Sequence, residues 1–92
     1  MVLESSVESK SVKHAKSFGV EAYKLTVRSA PDRVFLIPGQ DRFFFVEFKK
    51  HKKEPEPHQL REHKRLRKKG FLVYVVDNFE DFKTLLRWEL ET

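Results

Sequence analysis

Two short runs of strand-forming residues, Val34-Phe35-Leu36-Ile37 and Phe43-Phe44-Phe45-Val46, flank the turn-forming Pro38-Gly39-Gln40-Asp41. Apolar, β-prone segments joined by a Pro-Gly turn read as an antiparallel hairpin. The second run continues into Glu47-Phe48-Lys49, and Pro31-Asp32 stands before the first. The chain therefore puts two carboxylates and an ammonium where a small protein should be burying hydrophobes.

The hairpin register decides whether these charges meet. If Gly39-Gln40 is a two-residue turn, residues whose numbers sum to 79 face each other and Asp32 lies opposite Glu47. If Pro38-Gly39 takes the turn centre, the sum is 77 and Asp32 faces Phe45. Strand side chains alternate, so Phe45, Glu47 and Lys49 share a face, and Asp32 joins it under either register. Two carboxylates on a half-buried face repel and are costly to desolvate unless something positive lies between them. A divalent cation with oxygen ligands is the natural occupant, with Lys49 alongside.

All three glycines (Gly19, Gly39, Gly70) and all four prolines (Pro31, Pro38, Pro55, Pro57) fall between periodic segments. A first helix is predicted over Glu4 to Phe18, with Val7, Val12, Ala15 and Phe18 on one face and Gly19 as its C-cap. A strand over Ala22 to Val27 follows. The hairpin spans Arg33 to Ile37 and Arg42 to Lys49, and Lys50 to Glu56 form a charged loop. A second helix runs from Pro57, a good first-turn residue, to Lys69, with Leu60 and Leu66 as its sparse apolar face and Gly70 closing it. Phe71 to Val76 is a fully apolar strand, central or parallel. Asn78 caps a last helix carrying Phe79, Phe82, Leu85, Leu86 and Trp88. The order α, three strands, α, β, α defines an α/β chain without repeat, linker or low-complexity segment.

Ninety-two residues make one small domain, spanning residues 1–92, with little apolar surface to spare, so oligomerisation is expected. Nine Phe with Tyr23, Tyr74 and Trp88 point to a core of a few large aromatics. No stretch is apolar enough to span a bilayer, and Met1-Val2-Leu3-Glu4 lacks the regions of a signal peptide, so an intracellular protein is expected. The absence of cysteine fits that compartment and excludes disulfides, thiolate zinc sites and cysteine nucleophiles. His14, His51, His58 and His63 are scattered; His58 and His63, five apart, do not share a helix face, and the four are read as surface or DNA-proximal residues rather than a metal site.

Basic charge is concentrated in one segment. From Lys49 to Lys69, ten Lys or Arg face three Glu, a balance of +7 in a chain whose net charge is +5. Such a stretch suits phosphate backbones; an acidic membrane surface or a merely solvated helix face are the other readings. The tripeptide Glu-x-Lys carries little information by itself, because it recurs at Glu8-Ser9-Lys10 and Glu62-His63-Lys64. Only the middle copy ends an apolar strand whose antiparallel neighbour begins with Pro-Asp.

Taken together, Glu8, Gly19, Tyr23-Lys24, Pro31-Asp32-Arg33, Val46-Glu47-Phe48-Lys49, Gln59 and Gly70 to Val76 resemble the virus-type replication-repair nuclease (VRR-NUC) domain, a branch of the PD-(D/E)xK nuclease superfamily. The resemblance runs from Glu8 to the last helix. One departure is Arg28-Ser29-Ala30, which stands where family members usually carry a glycine shortly before Pro-Asp. The resemblance implies a restriction-endonuclease-like fold, a mixed sheet flanked by helices, and a Mg2+- or Mn2+-dependent endodeoxyribonuclease. It implies that Asp32, Glu47 and the backbone carbonyl of Phe48 bind the metal, that Glu8 completes the acidic cluster or binds a second ion, that Lys49 orients and helps deprotonate water, and that Gln59 aligns that lysine or water.

Lys24, Arg28 and Arg33 flank the expected site, and Lys50, Lys52, Lys53, Arg61, Lys64, Arg65, Lys68 and Lys69, with Arg67 as an extension, are candidates for DNA backbone contacts. Phosphate contacts position without reading bases, so shape preference should exceed sequence preference. Minimal viral or phage-type members of the family are associated with dimers that cut branched DNA. The expected partner is therefore DNA, branched, and the expected assembly a homodimer resolving four-way junctions, with no membrane partner. A nuclease of nicks, flaps or plain duplex, and a non-catalytic basic DNA-binding protein, are the alternatives.

Overall fold

In a computed structural model, Glu4 to Thr92 are described, with side chains from Ser6 onward; Met1 to Leu3, part of the stretch read above for a signal peptide, lie outside the described residues. The elements are α1 (Glu4–Lys16), β1 (Glu21–Lys24), β2 (Arg33–Ile37), β3 (Arg42–Phe48), α2 (Pro57–Lys68), β4 (Val73–Val76) and α3 (Phe79–Glu91). This is the expected order. The strands form one mixed sheet, β1-β2-β3-β4, with the first two pairings antiparallel and β3-β4 parallel.

The hairpin settles on the register that sums to 79: Arg33 faces Val46, Val34 faces Phe45 and Ile37 faces Arg42. Gly39, at φ +72°, takes the left-handed backbone the turn requires. Phe35 and Ile37 of β2, with Phe44, Val46 and Phe48 of β3, thereby point to one side and are buried. Against that side lie α1 and α3, contributing Val7, Ala15, Phe82 and Leu86. The Phe35 ring stacks on Phe44 at 5.2 Å and meets Phe82 at 5.1 Å, so the core is built around aromatics as expected.

Several boundaries differ from the sequence reading for local reasons. The first helix ends at Lys16, where the Gly19 N–H reaches Lys16 O at 2.9 Å and Val20 N–H reaches Ala15 O at 3.0 Å, with Gly19 at φ +79°. Phe18 is left half-exposed rather than in the core. Strand β1 ends at Lys24; Leu25 N–H carries the pairing one step further, to Asp32 O at 2.9 Å, and the chain then turns with Ala30 N–H on Val27 O at 3.1 Å, so Val27 stays exposed. The apolar strand β4 is parallel but lies at the sheet edge, not its centre, which leaves Val75 partly exposed. Asn78 caps α3 by accepting the Asp81 N–H at 2.8 Å. Trp88, 65% exposed, lies off the buried face of α3, where Glu89 takes the inward position. Glu89 is held by Arg42 and by the Tyr74 hydroxyl at 2.5 Å. Burial, followed by that hydrogen bond and the Glu89 charge, pushes the Tyr74 hydroxyl up to about 12.

Candidate active site

Glu47 alternates with Val46 and Phe48, so its side chain leaves the α1/α3 side of the sheet and enters the opposite one. It is 1% exposed. Helix α2 follows the 50–56 loop and packs beside β4. Its Gln59 donates from Nε2 to Glu47 Oε2 at 2.9 Å, while its own Oε1 accepts the Glu56 N–H at 2.9 Å. One amide thus closes the helix N-terminus and anchors a buried carboxylate. Lys49, two residues on and just past the end of β3, brings Nζ to 3.5 Å from the same Glu47 oxygen.

Asp32 precedes β2 and accepts the backbone N–H of Phe48 on Oδ2 at 2.7 Å. Burial pushes its carboxyl above the ordinary aspartate value; the Phe48 bond pulls it down, while the charges of Glu47 and Glu8 push it further up. Glu8 reaches in from α1 and takes Arg33 Nε at 2.7 Å and Lys24 Nζ at 2.9 Å on one oxygen. Burial raises the Glu8 carboxyl, but the hydrogen bonds and charges of Lys24 and Arg33 outweigh it, leaving the group below the usual glutamate range.

The end of the β2-β3 pair therefore gathers Asp32, Glu47, Lys49 and Gln59, with Glu8 close enough to act on Asp32. Phe48 enters through its N–H to Asp32. Among the described residues no three His, Cys, Asp or Glu side chains are spaced as a ready metal cage. Glu8 is occupied by its two cations. The donor set nevertheless fits a hard divalent ion: Mg2+ is commonly held by one or two carboxylates and keeps several waters. Glu47 Oε1 is buried without a hydrogen-bond partner, and Asp32 is pushed up by burial and two neighbouring carboxylates.

The basic candidates divide by environment. Lys50, Lys52 and Lys53 are exposed on the loop before α2, and Arg61, Lys64, Arg65, Lys68 and Lys69 on or just beyond its solvent side; Arg28 and Lys24 are exposed as well. Arg65 is paired with Glu62 at 2.8 Å. Arg33 is half-buried on Glu8. Arg67 is exposed too, and it also donates from Nη2 to Val73 O at 2.7 Å, so it has a structural partner besides its place in the basic stretch.

Two features escaped the sequence reading. His63 is not a surface residue: it is 0% exposed, with Nε2 3.5 Å from Glu47 Oε1. The spacing that signals it is four residues from Gln59, one helical turn along the same face. Ser29 stands at φ +72°, the left-handed conformation that suits the glycine usual at this place, and its hydroxyl lies 2.8 Å from His58 Nδ1.

No protein-family model matches the chain. A solved structure described as a VRR_NUC domain superposes with a TM-score of 0.83 and is 34% identical, covering 91% of this chain and 94% of that one. The "Putative nuclease p44" of Acyrthosiphon pisum secondary endosymbiont phage 1 is 36% identical over 89 residues, 94% of each chain. The sheet and its acidic end define an α/β domain of the VRR_NUC type. The chain belongs to the VRR-NUC family.

Proposed function

We propose that this nuclease is a metal-dependent endodeoxyribonuclease that hydrolyses phosphodiester bonds through Asp32, Glu47 and Lys49. The observation that carries the reading is the convergence of an acidic pair, a lysine and a glutamine where the hairpin meets α2. Asp32 and Glu47, with the Phe48 carbonyl, would hold Mg2+ or Mn2+, which when bound neutralises the phosphate and lowers the pKa of a bound water. Lys49 supplies a cation beside the scissile phosphate and orients the attacking water. Gln59 fixes Glu47 and, through it, the place of Lys49. Glu8 sets the charge next to Asp32 and keeps Lys24 and Arg33 on the approach to the site.

The substrate we infer is branched DNA, foremost a four-way junction cut by a homodimer. The exposed lysines and arginines of the 50–56 loop and α2 flank the acidic end and suit phosphate backbones without reading bases. An apolar surface supports self-association: Phe43, Phe45 and Phe71 cluster with ring centroids 5.6 to 6.2 Å apart, and Phe43, Phe71 and Val75 are each more than a third exposed. A two-fold dimer would offer one site to each of two symmetric strands. No helix is long and apolar enough to cross a membrane among the described residues.

The test is a labelled four-way junction beside the same strands as plain duplex, in Mg2+ or Mn2+, with Asp32→Ala as control. Symmetric cleavage of the junction alone, lost in the variant, is expected. Equal cutting of both DNAs removes the junction reading and keeps the nuclease. Binding without cleavage in either metal favours a non-catalytic DNA-binding protein.

A further inference from the structure

Helix α2 buries one side chain completely, and it is polar. Leu60 is 45% exposed and Leu66 is only partly covered, whereas His63 is 0% exposed. Both ring nitrogens of His63 lack a hydrogen-bond partner among the described residues, and so does Glu47 Oε1. A leucine or phenylalanine would fill the same space without desolvating two polar nitrogens. The orphaned groups belong to one pair: His63 Nε2 lies 3.5 Å from Glu47 Oε1. That separation is a few tenths of an ångström beyond a good N–H···O bond.

We propose that His63 is a positioning residue, which with Gln59 clamps the two oxygens of Glu47 and fixes that carboxylate in the orientation a catalytic divalent cation requires. The inference rests on the metal-dependent reading above and adds a residue to it. Gln59 and His63 stand one turn apart on α2, and each addresses a different oxygen: Gln59 Nε2 reaches Oε2 at 2.9 Å, and His63 Nε2 approaches Oε1. Lys49 Nζ lies on the Oε2 side at 3.5 Å. A carboxylate oxygen has two lone pairs, so Oε1 can accept from His63 and still face a cation. The role requires only an N–H on Nε2, which the neutral ring supplies in one tautomer. Without it, Glu47 is pinned at one oxygen and free to rotate about that bond. Residues that hold a ligand in this way contribute about 10–100-fold to metal affinity when removed.

The experiment is calorimetric titration of the DNA-free protein with Mn2+ alone, on wild type, His63→Phe, His63→Gln and His63→Asn, each checked for folding by thermal melt. A glutamine places its amide N–H near the position of Nε2, whereas an asparagine places it near Nδ1. Mn2+ binding is expected to weaken by about 10–100-fold in His63→Phe, to return to within about threefold of wild type in His63→Gln, and to stay weak in His63→Asn. DNA binding in EDTA should be equal in all four. A folded His63→Phe that binds Mn2+ like wild type overturns the proposal. Should His63→Phe not fold, equal affinity of the Gln and Asn variants overturns it instead. Failure of the wild type itself to bind Mn2+ removes the metal-dependent reading and this inference with it, a result distinct from loss of the His63 effect alone.

Discussion

The carboxylate of Asp32 accepts the backbone N–H of Phe48 at 2.7 Å, tying the first acidic residue to the strand that carries the second. The bond stabilises the charged form of Asp32, yet burial and the nearby charges of Glu47 and Glu8 still push its carboxyl above the ordinary aspartate value of 3.8. The metal-free site is thus held together against its own electrostatics.

A consequence is that the neutral isostere should stabilise the metal-free fold. Because the folded pKa of Asp32 is raised, the native state keeps a proton that the unfolded chain releases, and stability falls as pH rises from 3.8 through the folded value. Asp32→Asn, which can still accept the Phe48 N–H, removes that fall. Melting temperatures in EDTA from about pH 4 to about pH 7 should show the variant gaining on wild type as pH rises. A variant less stable than wild type at neutral pH contradicts this.

Glu8 behaves in the opposite sense. Its folded pKa lies below the usual 4.5, so its contribution is present above 4.5 and is lost as pH falls through the folded value. Glu8→Gln should cost about 1 kcal/mol at neutral pH, the scale of a partly exposed charged pair. The difference from wild type should close on acidification, which urea melts at two pH values would measure.

Ser29 holds the turn before Pro31 in a left-handed conformation at φ +72° and joins it to His58 at the start of α2. Ser29→Ala keeps the strained backbone and loses the bond, so it should destabilise by about 1 kcal/mol. Ser29→Gly loses the same bond and relieves a strain of about 1 kcal/mol, so it should lie within a few tenths of wild type. Denaturant midpoints for the two variants would decide it.

The arginines and lysines of α2 should separate into two groups. Lys64 and Lys68 are exposed, and replacing both with Ala should weaken DNA binding, lower the salt slope by about one for each lost phosphate contact, and leave the melting temperature unchanged. Arg67→Ala should destabilise the fold, since it strips the donor from Val73 O. Fluorescence anisotropy against salt, run beside thermal melts, distinguishes these outcomes.

Most of the fold was legible because the punctuation was local. Gly19, Gly39 and Gly70 all take positive φ where helices or the hairpin end, and alternation placed Phe44, Val46 and Glu47 on their correct faces. The hairpin arithmetic left two registers, and the observed pairing of Val34 with Phe45 picks the one that puts Asp32 opposite Glu47. What was not legible depends on tertiary contacts. Nothing local distinguishes the buried His63 from the exposed His51, or Arg67, which bonds Val73 O, from Lys68; the sheet beneath the helix does. Glu89 reads as a surface glutamate until Arg42 and Tyr74 are brought over it.

The central claim is that Asp32 and Glu47 serve a cation in phosphodiester cleavage. Single-turnover cleavage of a labelled four-way junction, in Mn2+ and in EDTA, by wild type, Asp32→Ala and Glu47→Ala tests it most directly. Cleavage by wild type in Mn2+ only, with each variant slowed by at least about 10³-fold while still binding the DNA, is predicted from the several kcal/mol a metal contributes. Cleavage that persists in EDTA, or variants that cut at the wild-type rate, would contradict it.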